Sequence, residues 1–144
     1  DKIGFLFTAN KNIAVQNISK VASGGEISRL MLSIKSLLSK SIDLPTIIFD
    51  EIDTGVSGEI ADKMGNIMKN MSENMQVLNI THLPQVAAKG DTHYLVFKSE
   101  NNQTSATGIK KLSDKERLQE LAKMLSGENI TKEAIENAKV LLHR

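Results

Sequence analysis

The chain has 144 residues, a formal net charge of +1 and no cysteine, which suits one domain, or one lobe of a larger one, with a real core. The near-neutral charge gives no electrostatic case for nucleic-acid binding, and the lack of cysteine excludes disulfides and thiolate metal sites and suits a reducing cytoplasm. No apolar run approaches the length of a membrane span, so we expect no membrane partner.

The first elements are a short strand over Ile3–Thr8 and a polar loop or ribbon over 11–19. Apolar residues at offsets of 3, 4, 7, 10 and 11 predict a helix over Gly24–Ser39. The apolar stripe comprises Ile27, Leu30, Met31, Ile34, Leu37 and Leu38. Ser23 followed by Glu26 is a capping-box pattern that marks the helix start.

The segment Thr46–Asp50 is an apolar run that ends in two adjacent carboxylates, Asp50 and Glu51. Such a run is typical of a strand buried on both faces of a parallel sheet, whose carboxyl edge is where open α/β folds bind ligands. One carboxylate holding Mg²⁺ and its neighbour polarising a water would form a nucleotide-hydrolysis arrangement. The alternative is a strand that simply enters an acidic loop.

A second helix is predicted over Gly58–Ser72, and its inward positions are Ile60, Ala61, Met64, Ile67, Met68 and Met71. A methionine-rich stripe can be a binding surface, but helical spacing between two strands favours a core role. A further strand follows over Val77–Thr81, with a helical turn from Pro84. Strands at Thr92–Lys98 and Thr104–Leu112 then predict an antiparallel hairpin.

Two more helices close the chain. Ser113 with Glu116 is another capping box and marks the start of a helix, and Gly127 is interpreted as the C-cap of that same helix. Thr131 caps the last helix. The order of elements predicts an α/β layer with an antiparallel appendage. Residues 1–144 show no repeat, linker or domain boundary.

Three further groups of residues could carry chemistry. The free N–H groups at Ser23, Gly24, Gly25 and Glu26 could attract an anion, although by itself the pattern is explained better by a well-capped helix after a flexible turn. The loop of Asp53, Thr54, Gly55 and Ser57 suits a partner surface or an ordinary helix cap. His82, after the third strand, could bond a terminal phosphate or the attacking water at the edge that carries the acidic pair; a structural histidine is the alternative.

Taken together, these motifs resemble the ABC ATPase superfamily. Ala22–Glu26 is similar to its signature motif, Ile47–Glu51 to Walker B with the catalytic glutamate, and Ile80–His82 to the switch histidine. Within it, the strings VASGGEISRLMLSIK, PTIIFDEIDTGVSG, QVLNITHLPQVAAKGD and ELAKMLSGENIT resemble the RecN family of the SMC-like branch, over nearly the whole chain.

The resemblance implies a role for each matching residue. Asp50 would hold Mg²⁺, commonly through water, Glu51 would activate the attacking water, and His82 would contact the γ-phosphate of ATP. The segment Ser23–Glu26 would meet ATP held by a second subunit, and the loop from Asp53 to Ser57 would contact that subunit. Ser57 stands where many relatives have aspartate, so communication through this loop is not carried over unchanged.

The motif Gly-x-x-x-x-Gly-Lys-Ser/Thr does not occur in these residues, and sustained heptads are also missing. The resemblance therefore implies the C-terminal lobe of an ABC-type ATPase head, with a mostly parallel sheet, whose N-terminal lobe and coiled coil lie elsewhere in a longer protein. We expect such a piece to be inactive alone.

The expected function is ATP hydrolysis by a homodimer of heads in DNA double-strand break repair and recombination, in the cytoplasm at the nucleoid. DNA would be a partner of the full-length protein, with no direct DNA site in these residues. The alternatives are the head of another SMC-like or transporter ATPase, and a non-enzymatic dimerisation module.

Overall fold

The computed structural model describes residues 3–8, 12, 14–18, 23–39, 41, 43–101 and 104–143. The chain divides into two compact units, Asp1–Thr81 and His82–Arg144. Within the described residues the strands form three two-stranded sheets, one of them parallel. The chain is therefore of the α/β class, as predicted, and in the part that the structure describes the parallel layer is one pair of strands.

The first unit begins with a short antiparallel pair and continues with helices that alternate with parallel strands. Its elements are β1 (Leu6–Phe7), β2 (Gln16–Asn17), α1 (Gly24–Leu38), β3 (Thr46–Asp50), α2 (Gly58–Met71) and β4 (Gln76–Ile80). Helix α1 packs against α2, and α2 packs against β4. The predicted elements are confirmed, except that the first strand is shorter, both helices end one residue earlier, and β4 begins and ends one residue earlier.

Strands β3 and β4 run parallel, from the pair Thr46 and Gln76 to the pair Asp50 and Ile80. Only one face of this sheet is covered, since Phe49 is 3% exposed whereas Ile48 is 64% exposed. The prediction that β3 is buried on both faces is therefore wrong for the described residues. Apolar continuity along a strand shows that both faces suit burial, and the described elements cover only one of them.

The core of the first unit is built mainly of methionine. The buried apolar side chains are Leu32, Phe49, Ala61, Met64, Met68, Met71 and Met75. The core role of the α2 methionines is confirmed, although Ile60 is exposed. On α1 the buried side chain is Leu32, which lies outside the predicted stripe, and Leu37 of that stripe is 73% exposed.

The second unit contains a hairpin and three helices. Its elements are α3 (Pro84–Ala87), β5 (Tyr94–Asn101), β6 (Thr104–Lys111), α4 (Asp114–Ser126) and α5 (Lys132–Leu142). Helix α4 packs against α5, and α3 packs against both. The buried cluster comprises Ala88, Leu121, Ala122, Ala134 and Ala138. Small residues on facing helices let these backbones approach closely and close a compact core.

The predicted helix ends of this unit are confirmed. Ser113 and Glu116 form a capping box at the start of α4, and the Thr131 hydroxyl accepts from the Ala134 N–H at 3.1 Å. Gly127 ends α4 with a φ of 77°, and its N–H donates to the Lys123 carbonyl at 2.7 Å. The left-handed conformation explains why glycine stands there.

Candidate functional site

The acidic pair lies where the two parallel strands end. Asp50 is paired with Ile80, the last residue of β4, and the Glu51 N–H donates to the Ile80 carbonyl at 3.0 Å. Both acidic residues are exposed. The carboxyl ends of β3 and β4 therefore meet at one edge with the acidic pair, and this is the edge at which open α/β folds bind ligands.

The backbone of Glu51 adopts a left-handed conformation, with a φ of 47°. For residues other than glycine this costs on the order of 1–3 kcal/mol and persists only where the surroundings hold it. Here the Glu51 carbonyl accepts from the Thr54 N–H at 3.1 Å and from the Thr54 hydroxyl at 2.8 Å. A tight turn, which we call the acidic turn (residues 51–54), thus fixes the chain directly after β3.

Asp53 differs from its neighbours in this turn because its side chain is fully buried, at 0% exposure. One carboxylate oxygen accepts a hydrogen bond from the Thr81 hydroxyl. The other is buried and has no hydrogen-bond partner among the described residues. The sequence suggested a surface role for Asp53 and gave no sign of Thr81, because their contact joins residues 28 positions apart.

The rest of the loop after Asp53 is open to solvent. Thr54, Gly55 and Ser57 are exposed. Gly55 and Gly58 have φ values of 78° and 56°, so both positions require a residue that tolerates left-handed backbone. The glycines shape this loop, in which Val56 is half-buried.

The predicted anion site at the start of α1 is a well-formed capping box. The Ser23 hydroxyl accepts from the Glu26 N–H at 3.3 Å, and the Ser23 N–H donates to Glu26 Oε2 at 2.8 Å. These hydrogen bonds, with Arg29 as a weaker influence, lower the pKa of Glu26. Because the Ser23 hydroxyl acts as acceptor in the cap, its own hydrogen remains able to point at an anion. Val21 and Ala22 lie outside the described residues.

The start of α1 and the acidic turn are neighbours. A methyl group placed on Gly25 would lie 3.5 Å from the Thr54 carbonyl oxygen and 3.2 Å from Arg29 Nη1. Gly24 is exposed, and a methyl group there would meet nothing within 4 Å. Two motifs that lie about thirty positions apart in the sequence therefore share one region of the first unit.

His82 is exposed and directly follows Thr81, as the first residue of the second unit. That His82 lies close to the acidic pair stays a prediction. His93 lies at the base of the hairpin, where its backbone carbonyl accepts from the Leu112 N–H at 2.9 Å. Burial, with Arg117 nearby, lowers the pKa of His93 against an opposing effect of Glu120, which is typical of a structural histidine.

Solved structures of SMC proteins have a similar fold. The chain superimposes with a TM-score of 0.59 on a structure from work on "ATP-driven dimerization and DNA stimulated activation of SMC ATPases", at 21% identity over 82% of this chain and 70% of the other. For an Smc head domain from Pyrococcus yayanosii the TM-score is 0.58, at 23% identity over 88% of this chain and 21% of the other.

Sequence comparison finds proteins that are more similar to this chain than those structures are. Proteins named "DNA repair protein RecN" are 47% identical in Rickettsia conorii, 44% in Bacillus subtilis and 42% in Vibrio cholerae, each over 99% of this chain. The chain is therefore homologous to RecN along its own length. It spans about a quarter of the length of these relatives, at 26%, 25% and 26%.

Two further observations concern protein families and membrane helices. No protein-family model matches the chain. Among the described residues, no helix is both long and apolar enough to cross a membrane.

Proposed function

We propose that the chain forms the catalytic edge of a RecN-like ATPase head that binds and hydrolyses ATP in DNA double-strand break repair and recombination. The observation that carries this proposal is the parallel register of β3 and β4, which sets Asp50 and Glu51 beside the end of β4. Homology to proteins named for DNA repair supplies the process.

The donor set at this edge suits Mg²⁺. The carboxylates of Asp50 and Glu51 are exposed oxygen donors that lie next to each other. That combination fits an ion that takes one or two carboxylates and completes its shell with water and substrate phosphates. When bound, Mg²⁺ would neutralise charge on the phosphate oxygens.

Three residues of the chain then have separate roles. Asp50 holds the ion, commonly through water. Glu51 accepts a hydrogen bond from the attacking water and orients it, helped by a turn that fixes its backbone. His82 donates to the terminal phosphate from the segment that follows β4.

The start of α1 serves the ATP of a second head. Ser23, Gly24 and Gly25 present N–H groups and a hydroxyl at a helix N-terminus, where an anion is favoured, and Glu26 closes the cap behind them. The proximity of Gly25 to Thr54 supports one shared dimer surface, so Thr54, Gly55 and Ser57 would contact the same partner. Each site would be complete only when two heads meet.

The remainder of the head would come from the longer protein. The 144 residues contain no phosphate-binding loop sequence, and the open face of the β3–β4 sheet carries Ile48, Leu78 and Ile80 at 64%, 42% and 52% exposure. We propose that the N-terminal lobe supplies that loop and packs on this face. The 144-residue chain alone should accordingly show little or no ATPase activity.

The direct test is Glu51→Gln in the complete protein, with Glu59→Gln as the matched control. Glu59 is exposed and pairs with Lys63 of its own helix, at 2.7 Å. We expect turnover to fall about 10²- to 10⁴-fold, with dimers that accumulate in ATP, and no change for the control. Unchanged turnover and dimerisation in Glu51→Gln would favour the non-enzymatic dimerisation module instead.

A further inference from the structure

We propose that Asp53 is a positioning residue that holds the acidic turn against the end of β4, and with it the backbone of Glu51. Its carboxylate is fully buried and bonds to Thr81. The effect on turnover rests on the proposed function, whereas the effect on the turn does not.

Burial of the Asp53 carboxylate is unfavourable unless other interactions compensate for it. A buried charged group loses its hydration, and one of the two oxygens of Asp53 has no partner among the described residues. Asp53 does not cap the following helix, because the N-cap of α2 is Ser57. The contact that remains to explain its burial is the charge-assisted hydrogen bond from Thr81, which is stronger than one between neutral groups.

That hydrogen bond completes the attachment of the acidic turn. The backbone bond from the Glu51 N–H to the Ile80 carbonyl ties the start of the turn to β4. The bonds from Thr54 to the Glu51 carbonyl close the turn on itself and do not reach β4. Asp53 and Thr81 therefore provide a second link, and two links fix an orientation that one link leaves free to pivot.

Glu51 needs this support because its left-handed backbone is unfavourable. Without the second link we expect the turn to relax and the Glu51 carboxylate to change position. Small displacements of a catalytic group are costly, since about 1 Å can reduce turnover about 10²-fold. Thr81 also precedes His82 directly, so the same bond holds the residue before this histidine.

Four variants of the complete protein test this role. Thr81→Val keeps the shape of the side chain and removes the hydroxyl, Thr81→Ser keeps the hydroxyl, and Asp53→Ala removes the carboxylate. Asp43→Ala, at an exposed position before β3, is the control. We expect kcat to fall about 10- to 100-fold in Thr81→Val and Asp53→Ala, with KM for ATP changed less than about 3-fold, because orientation is lost rather than binding.

A readout independent of ATP is amide hydrogen exchange of peptides that cover residues 47–58 in the same variants. Exchange there should accelerate at least about tenfold in Thr81→Val and remain at the wild-type rate in Thr81→Ser and Asp43→Ala. The double variant Asp53→Ala/Thr81→Val should be no worse than either single variant, because both remove one interaction.

The outcomes separate the two proposals. Fast exchange in Thr81→Val with a wild-type protein that lacks ATPase activity would support the positioning role and refute the proposed function. Wild-type exchange and kcat in Thr81→Val would overturn the positioning role whether or not the protein is an ATPase. If Asp53→Ala fails to fold, the Thr81 pair still decides the question.

Discussion

The two units of the chain leave apolar side chains exposed on different elements. In the second unit Leu121, Ala122 and Ala138 are fully buried, at 0% exposure, between capped helices. In the first unit the sheet leaves Ile48 and Ile80 more than half exposed. In the second unit the exposed apolar side chains lie mainly on the hairpin, where Val96 and Ile109 are 60% and 70% exposed.

Paired and unpaired polar groups occur in both units. In the second unit Glu116 accepts hydrogen bonds from Ser113 and from Lys110. One oxygen of Asp53 in the first unit, and His93 Nδ1 and Arg117 Nε in the second, are buried without a partner among the described residues. Buried polar atoms alone therefore do not distinguish the unit that carries the acidic pair.

The largest expected effect within the second unit is that of Leu121→Ala. This fully buried side chain belongs to the cluster between α4 and α5, and its truncation should lower the free energy of unfolding by about 2–5 kcal/mol. Chemical denaturation followed by helical circular dichroism measures it. Leu125→Ala, at 36% exposure on the same helix, is the control and should cost far less.

A smaller effect is expected from Leu78→Ala on the open face of the first unit, where the side chain is 42% exposed. In the 144-residue chain the change should cost less than about 1 kcal/mol, since little burial is lost. In the complete protein, with the proposed lobe packed on this face, it should cost about 2 kcal/mol or more. Equal small losses in both would remove the case for a covering lobe.

The hairpin of the second unit should respond modestly to Gly108→Ala. A methyl group there would lie 2.6 Å from the Phe97 ring, which covers the glycine across the strands. Because the ring is 42% exposed and can move outward, we expect a loss of about 1 kcal/mol. Thermal unfolding of Gly108→Ala and of Gly108→Ala/Phe97→Leu measures it; the second change should restore stability if the clash is the cause.

The smallest expected effect is that of low pH on the stabilising contribution of Glu116. Hydrogen bonds from Lys110 and from Ser113 lower the pKa of Glu116 to about 2, below the ordinary value of 4.5. Its stabilising contribution is therefore complete above pH 4.5 and lost as the pH falls through 2. Carboxyl NMR titration should show that midpoint, and Lys110→Ala should move it upward. An unchanged midpoint would assign the shift to the helix cap alone.

The sequence predicted those features that depend on residues close together in the chain. Strand ends and helix caps such as Ser23 and Thr131 depend on neighbours within a few positions, so they can be recognised without a fold. Periodicity showed that α1 has an apolar stripe but not whether a partner covers it, and Leu37 proved exposed. The pairing of Asp53 with Thr81 escaped prediction because it requires the strand register and the shape of the turn.

The proposed sharing of each ATP between two heads can be tested by mixing two inactive variants of the complete protein. Glu51→Gln removes the water-orienting group, and Gly24→Glu places a negative charge at the exposed start of α1, where a methyl group meets nothing within 4 Å. A mixed dimer has one site with both defects and one site with neither. Glu51→Gln mixed with a chain that carries both changes is the control, since it contains no intact site.

The deciding measurement is ATP turnover of the equal mixture. We predict about a quarter of wild-type turnover, because half of the dimers are mixed and each has one intact site. Turnover no higher than that of the separate variants, in a mixture shown to form mixed dimers, would contradict the sharing of each ATP between two heads.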